Sequence, residues 1–254
     1  MRALWLRRRL LPVLAFALCG LAACAPQSDE KSGQGGSASA EAASSPHAAE
    51  PVASARSAGD VAQGSGFDFY VLSLSWSPSY CEAEGADANR QQCGASRRYA
   101  FVVHGLWPQF ERGYPQECGT GERKVPDRTL RGLYDIMPSA GLIRHQWRKH
   151  GSCTGLAQAD YFDVLRTARE KVSIPSGFRR LDTYRTLSPG EAEAAFLEVN
   201  PDLPAEGIAV TCDRRFLREV RICLTKKLAF RPCDEVDRQA CRLRKVVMPP
   251  VRGG

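Results

Sequence analysis

Three of the chain's four histidines fall in two short segments, Phe101-Val102-Val103-His104-Gly105-Leu106-Trp107-Pro108-Gln109 and His145-Gln146-Trp147-Arg148-Lys149-His150-Gly151-Ser152-Cys153. Each segment also carries Trp and Gly, and the second adds Lys149. Unperturbed histidine titrates at about 6.5, so near neutral pH one imidazole can take a proton while another gives one. Such a pair, with a cation facing developing negative charge, suits phosphoryl transesterification. RNA brings its own nucleophile, the ribose 2′-hydroxyl. Cleavage then needs a base for that proton, an acid for the departing 5′-oxygen, and a cation such as Lys149 against the phosphorane; no metal is required. Arg148 could add to that charge or simply form a solvated helix face.

Spacing decides which groups share a surface. On an ideal helix Gln146 and His150 are i,i+4 neighbours, as are His145 and Lys149, whereas His145 and His150 point about 140° apart. That separation disfavours one zinc held by both histidines, since a helical zinc motif uses an i,i+4 pair with Glu between. Gly151 is the expected end of this helix. Trp107 reads either as a platform for a stacked base, worth about 1–3 kcal/mol, or as a core residue. Trp147, between Gln146 and Arg148, and Trp76, in a strand-like run, read as core anchors.

The elements that must position these groups follow from periodicity. Phe67 to Trp76 has strand character and stops at Ser77-Pro78, and Tyr99 to Val103 reads as a strand delivering His104 at its end. Helical spacing runs through Leu130–Met137, Leu142–Lys149, Tyr161–Val172 and Glu191–Val199, the last bounded by Pro189-Gly190 and Asn200-Pro201. Strand-like runs return at Ile208–Cys212 and Glu219–Lys226. Strands, helices, then strands predict an α+β fold, a largely antiparallel central sheet flanked by helices. Residues 66–254 fit one domain with a sizeable core.

Residues 1–23 read as an export signal, with Arg2, Arg7, Arg8 and Arg9 before an apolar run from Leu10 to Leu18. Leu21-Ala22-Ala23-Cys24 resembles a lipobox, which would acylate Cys24; simple secretory cleavage and a retained anchor are the alternatives. Residues 24–65, rich in Ala, Ser and Gly, read as a disordered tether, and His47 within it as a solvated bystander. The formal charge is +7; without the four signal arginines it is +3, and setting aside the net-acidic tether leaves +6 on the domain. A basic body suits a polyanion, although charge alone equally serves solubility. Of ten cysteines, setting aside Cys19 and Cys24 leaves eight: Cys81, Cys93, Cys118, Cys153, Cys212, Cys223, Cys233 and Cys241. After an export signal they read as four disulfides stapling the domain, with zinc the weaker reading because no CxxC pair exists.

The motifs His-Gly-Leu-Trp-Pro and His-x-Trp-x-Lys-His-Gly-x-Cys, with Ser75-Trp76-Ser77-Pro78-Ser79-Tyr80-Cys81 before them, resemble the ribonuclease T2 family, specifically its bacterial secreted members, over Phe67 to about Met248. The resemblance implies metal-free endonucleolytic cleavage of single-stranded RNA through a 2′,3′-cyclic phosphate, with low base specificity and no cofactor. It implies His104 and His150 as the acid–base pair, with His145 and Lys149 holding the phosphate; His150 is assigned as base and His104 as acid, a pairing that could be reversed. It further implies disulfides Cys118–Cys153, Cys81–Cys93, Cys212–Cys241 and Cys223–Cys233. Two departures stand out. Gln146 replaces the family's usual Glu, which predicts retained activity with a changed pH profile. Gln109 stands where some relatives place Asp or Asn, in a base pocket whose other wall would be Trp107 with Tyr114 or Phe110. The expected partners are single-stranded RNA and, through Cys24, a membrane, with the domain a monomer. The main alternative is a lipoprotein that binds RNA without cutting it. A metal-dependent phosphodiesterase would need carboxylates that neither motif supplies.

Overall fold

The computed structural model describes residues 61–94, 98–119 and 121–251. The expected signal, Cys24, His47 and the tether through residue 60 lie outside the described residues. The chain divides into two units, 1–54 and 55–254, and all the described residues belong to the second.

In chain order the elements are β1 (Phe69–Trp76), α1 (Ser77–Glu84), α2 (Arg90–Cys93), β2 (Phe101–Gln109), α3 (Asp127–Leu133), α4 (Ala140–Lys149), α5 (Gln158–Lys171), α6 (Ser176–Arg179), β3 (Arg185–Leu187), α7 (Pro189–Val199), β4 (Ile208–Cys212), β5 (Leu217–Leu224), α8 (Asp234–Asp237) and β6 (Val246–Met248). Four strands form an antiparallel sheet in the order β2-β1-β5-β4, and β3 pairs with β6 in a small second sheet. The architecture is the α+β one expected.

β1 is the middle of the site-bearing half, and its alternation sorts the molecule into two sides. Tyr70, Leu72, Leu74 and Trp76 face the main core with Ile143 and Trp147 of α4, Tyr161 and Leu165 of α5, and Phe196 of α7. Phe69 and Val71 face the other side, in a smaller cluster with Ala209, Cys223 and Val236. Each large apolar side chain so buried contributes about 1.5–3 kcal/mol. Trp76 and Trp147 are both core residues, and the Trp76 indole donates to the Pro249 carbonyl at 3.0 Å.

Several bounds differ from the sequence reading. β2 does not stop before His104 but runs on to Gln109. Pro108 does not interrupt it, because β2 is an edge strand, where a proline is tolerated since its outward side has no ladder bond to lose. Helix α3 ends at Leu133, and the rest of the periodic run 130–137 leaves the helix. α7 begins at Pro189, fixed by a capping box in which Ser188 and Glu191 satisfy each other's backbone N–H groups. Composition assigns residues 61–65 to the tether, but Val61 and Ala62 pack against the core and the Ser65 N–H donates to the Thr154 carbonyl at 2.9 Å.

The disulfides are Cys81–Cys93, Cys118–Cys153, Cys212–Cys241 and Cys223–Cys233, so none of these eight cysteines is available to zinc. Among the described residues no helix is long and apolar enough to cross a membrane.

Candidate active site

A regular strand sends residues three apart to opposite faces. The His104 and Trp107 rings nevertheless stand edge to face, 5.3 Å apart. Register explains it: Gly105 pairs with Ser73 and Val103 with Leu74, leaving His104 as the extra residue of a β-bulge. The bulge inverts the alternation, so Val103 before it and Leu106 after it both enter the main core, while Trp107 packs with the cluster on the other face.

The second segment is amphipathic in the way its spacing suggests. Ser139 caps α4 by accepting the Leu142 N–H at 3.2 Å, and Ile143 and Trp147, one turn apart, bury its inner face. His145 and Lys149 form the neighbouring i,i+4 pair. Arg148 and Lys149 occupy the last turn, where positive charge complements the helix dipole. His150 is the C-cap, its N–H donating to the Gln146 carbonyl at 3.0 Å. Gly151 follows because a Cβ there would collide with the Trp147 and Tyr161 rings. Tyr161 in turn donates to the Leu106 carbonyl at 2.9 Å, tying α5 to β2.

Both segments open on one cavity of about 370 Å³, lined by His104, Trp107, Gln109, Tyr114, His145, Gln146, Lys149 and His150. A second cavity, about 550 Å³, lies on the other side of His104 and His145. Phe110, the alternative wall, is not among the residues lining the first cavity. Tyr114 is, with its ring 6.4 Å from that of His150. Its loop is held to the end of α4 by Cys118–Cys153 and by the Glu117 N–H donating to the Lys149 carbonyl at 2.8 Å.

Trp107 is neither a bare platform nor a fully buried core residue. It is half-buried, with the Arg221 guanidinium over its ring at 5.2 Å and the His150 ring 5.4 Å away. Its indole N–H donates to Gln146 Oε1 at 2.8 Å. Gln146 is 2% exposed, so its carbonyl oxygen is committed to the indole and its NH₂ group remains as the donor. Gly105 makes this contact sterically feasible, because a Cβ there would meet both Gln146 Oε1 and Trp107 Nε1.

The histidines differ in environment. Burial, then the charges of Lys149, His104 and His145, pushes the His150 imidazole down to about 3. Its Nδ1 is buried without a partner among the described residues, so Nε2 is the ring atom left to meet a substrate. His145 is also held below its ordinary value, by partial burial and then by Lys149 and Arg148. His104 is bonded through Nδ1 to Glu219 Oε1. Burial would raise the Glu219 carboxyl, but the hydrogen bond and charge of His104, with Arg221, outweigh it and hold it at about 2.

Sequence reasoning missed Glu219 and Arg221 of β5 and Glu235, Val236 and Gln239, which close the far side of the first cavity or stand behind it. Glu219 and Arg221 alternate with Val220 and Ile222, a pattern that marks a polar strand face but says nothing of what that face meets. Among the described residues no group of three or more His, Cys, Asp or Glu is arranged to hold a metal ion.

The sequence profile of the Ribonuclease T2 family matches residues 67–233. A ribonuclease of Aeromonas hydrophila is 41% identical over 178 residues, spanning 63% of this chain and 73% of that protein. Ribonuclease I of Escherichia coli strain K12 is 27% identical over 201 residues, 62% of this chain and 75% of that one. Among solved structures, an RNase-related protein from Calystegia sepium superposes with a TM-score of 0.60 at 20% identity, covering 74% of this chain and 100% of its own, a likeness of fold alone.

Proposed function

Because the chain belongs to the ribonuclease T2 family, we propose that its two histidine segments divide one reaction between them, with His150 as general base and His104 as general acid. The protein is an endoribonuclease that cleaves single-stranded RNA by two-histidine transesterification without a metal. The observation that carries this reading is the convergence of His104 from β2 with His145 and Lys149 of α4 and His150 at its C-cap on one cavity.

The environments of the two histidines support these roles. His150, held neutral by burial, takes the 2′-hydroxyl proton at Nε2. The 2′-oxygen attacks phosphorus, and Lys149 with His145 faces the negative charge gathering on the phosphorane. His104, whose Nδ1 is bonded to a carboxylate, delivers a proton from Nε2 to the departing 5′-oxygen. The products are a 2′,3′-cyclic phosphate and a 5′-hydroxyl, and hydrolysis of the cyclic ester runs the same transfers in reverse. Gln146 orients Trp107 and offers its NH₂ to the site. Trp107, Gln109 and Tyr114 form the wall against which a base lies, and the second cavity gives room for a nucleotide across the scissile bond.

The test is cleavage of a single-stranded RNA by the full chain in excess EDTA, beside His104→Ala and His150→Ala, with the product ends identified. Cyclic phosphate ends that vanish in both variants support the reading; abolition by EDTA, or a folded wild type that binds RNA and never cuts it, overturns it.

The finer placement is that of a bacterial secreted enzyme: residues 1–23 direct export, Cys24 carries lipid, and residues 25–60 tether a monomeric domain to a membrane. The basic start and lipobox-like tetrapeptide support this, as does the pairing of all eight domain cysteines, which suits an oxidising compartment. Palmitate labelling that persists in Cys24→Ser would refute the anchor.

A further inference from the structure

We propose that Glu219 is a positioning residue of the cleavage reaction: it accepts the Nδ1 proton of His104, turns the acid's Nε2 toward the scissile bond, and supplies the countercharge for the imidazolium. This rests on the proposed function, in which His104 is the acid.

Sheet order makes the contact unusual. β2 and β5 are separated by β1, so His104 and Glu219 lie two strand spacings apart, roughly 9–10 Å between backbones. Their side chains meet only by reaching over β1, which carries Ser73 and Ser75 on that face; Ser73 pairs with Arg221 and Ser75 with Glu219. Two small residues in an otherwise bulky strand leave the room required. The bulge at His104 aims its ring the same way.

Glu219 is buried at 8% exposure, and its two oxygens have separate partners. Oε1 takes His104 Nδ1, while Oε2 accepts from Arg221 Nε at 3.0 Å and from its terminal nitrogen at 2.9 Å. Arg221 then lies over Trp107. A buried carboxylate is a costly way to hold a sheet together, since well-packed apolar residues commonly do as well or better. Its placement makes sense as a clamp on the ring beneath which the reaction occurs. The cavities on either side of His104 bring it Arg218, Glu219 and Arg221 from β5, His145 and Lys149 from α4, and His150 at its cap; Glu84, Tyr80, Tyr114 and Glu235 complete the titratable lining. Of these carboxylates it is Glu219 that bonds the His104 ring, so Glu219 balances its charge most closely.

Leaving-group chemistry tests this. Glu219→Gln keeps size and a hydrogen-bond acceptor but removes the charge. On RNA or a dinucleoside phosphate, its kcat should fall about 10- to 100-fold, a share of the range general acids supply, with little change in KM. On a nucleoside 3′-(4-nitrophenyl phosphate), whose leaving group departs without protonation, the loss should shrink to within about twofold, because the acid is no longer needed. Equal losses on both substrates would mean a structural role and overturn the proposal; so would no loss on either. A wild type that fails to cut RNA would remove the functional reading and this one with it, whereas an active wild type with equal losses removes this one alone. Should the variant misfold, proton NMR of the wild type decides instead: a low-field His104 Nδ1 proton is expected, and a ring protonated only at Nε2 would refute the contact.

Discussion

Gly105→Ala is the smallest change that should damage this site, and its size can be worked from the packing. The added methyl would stand inside contact distance of Gln146 Oε1 and Trp107 Nε1, two atoms now joined at 2.8 Å. Neither can retreat easily. Gln146 is 2% exposed on a helix anchored by Ile143 and Trp147, and Trp107 is pinned between Arg221 and His150. Overpacking of this kind costs about 1–3 kcal/mol, and leaving a buried donor or acceptor unpaired costs about 1–3 kcal/mol more. The total of about 2–6 kcal/mol corresponds to a Tm lower by roughly 4–24 °C for a domain of this size. Because Trp107 and Gln146 line the cavity, kcat/KM should fall as well, by up to about 100-fold, the loss that a misplacement near 1 Å can cause. Thermal unfolding by circular dichroism and initial rates on a dinucleoside phosphate measure both. A variant with Tm within about 2 °C of wild type and unchanged kcat/KM would show that the glycine is not there to admit the indole–amide contact.

Other outcomes follow from the same geometry. His150, pushed down to about 3, stays neutral and able to act as base well into acid, so the acid limb of kcat/KM should lie below about pH 5; a limb near 6.5 would refute the burial argument. Stability should fall on acidification for two reasons of one sign: the unfolded chain takes up a proton on His150 below its ordinary 6.5 that the folded chain resists to about 3, and Glu219, ordinarily 4.5, resists protonation to about 2. Urea midpoints that stay flat from about pH 6.5 to about pH 3 would contradict this. Gln146→Glu places a carboxylate near the buried His150 and should move the acid limb upward; an unchanged profile would show that the Gln does not set it. Cys118→Ser with Cys153→Ser should cost about 2–4 kcal/mol of stability and raise KM more than it lowers kcat, because the freed loop carries Tyr114. An unaltered KM would remove Tyr114 from the binding wall.

Helices α3, α4, α5 and α7 and strand β1 are legible because their signals are local, whereas the short helices α1, α2, α6 and α8 carry no such periodicity. The aromatic and aliphatic run of Phe69–Trp76 marks a strand, and the i,i+4 spacing of Ile143 with Trp147 marks a buried helix face, whatever the rest of the chain does. The end of β2 escapes sequence reasoning for a nonlocal reason: whether Pro108 breaks a strand depends on that strand being at a sheet edge. Trp107 is hard to read for a similar reason, since its surroundings come from β5 and α4, not from its own neighbours in sequence.

The sequence by itself determined the chemistry, because acid–base work near neutral pH demands histidines and a cation, and their types and local spacing are written in two short segments. The acid and base roles proposed for the two histidines rest on the tertiary structure alone. That choice turns on burial for His150 and on a carboxylate 115 residues away for His104, brought within reach by an antiparallel sheet that places β5 two strands from β2. Proton affinity is set by the dielectric and charges around a group in space, and contacts across a sheet are fixed by strand order, which no local pattern records.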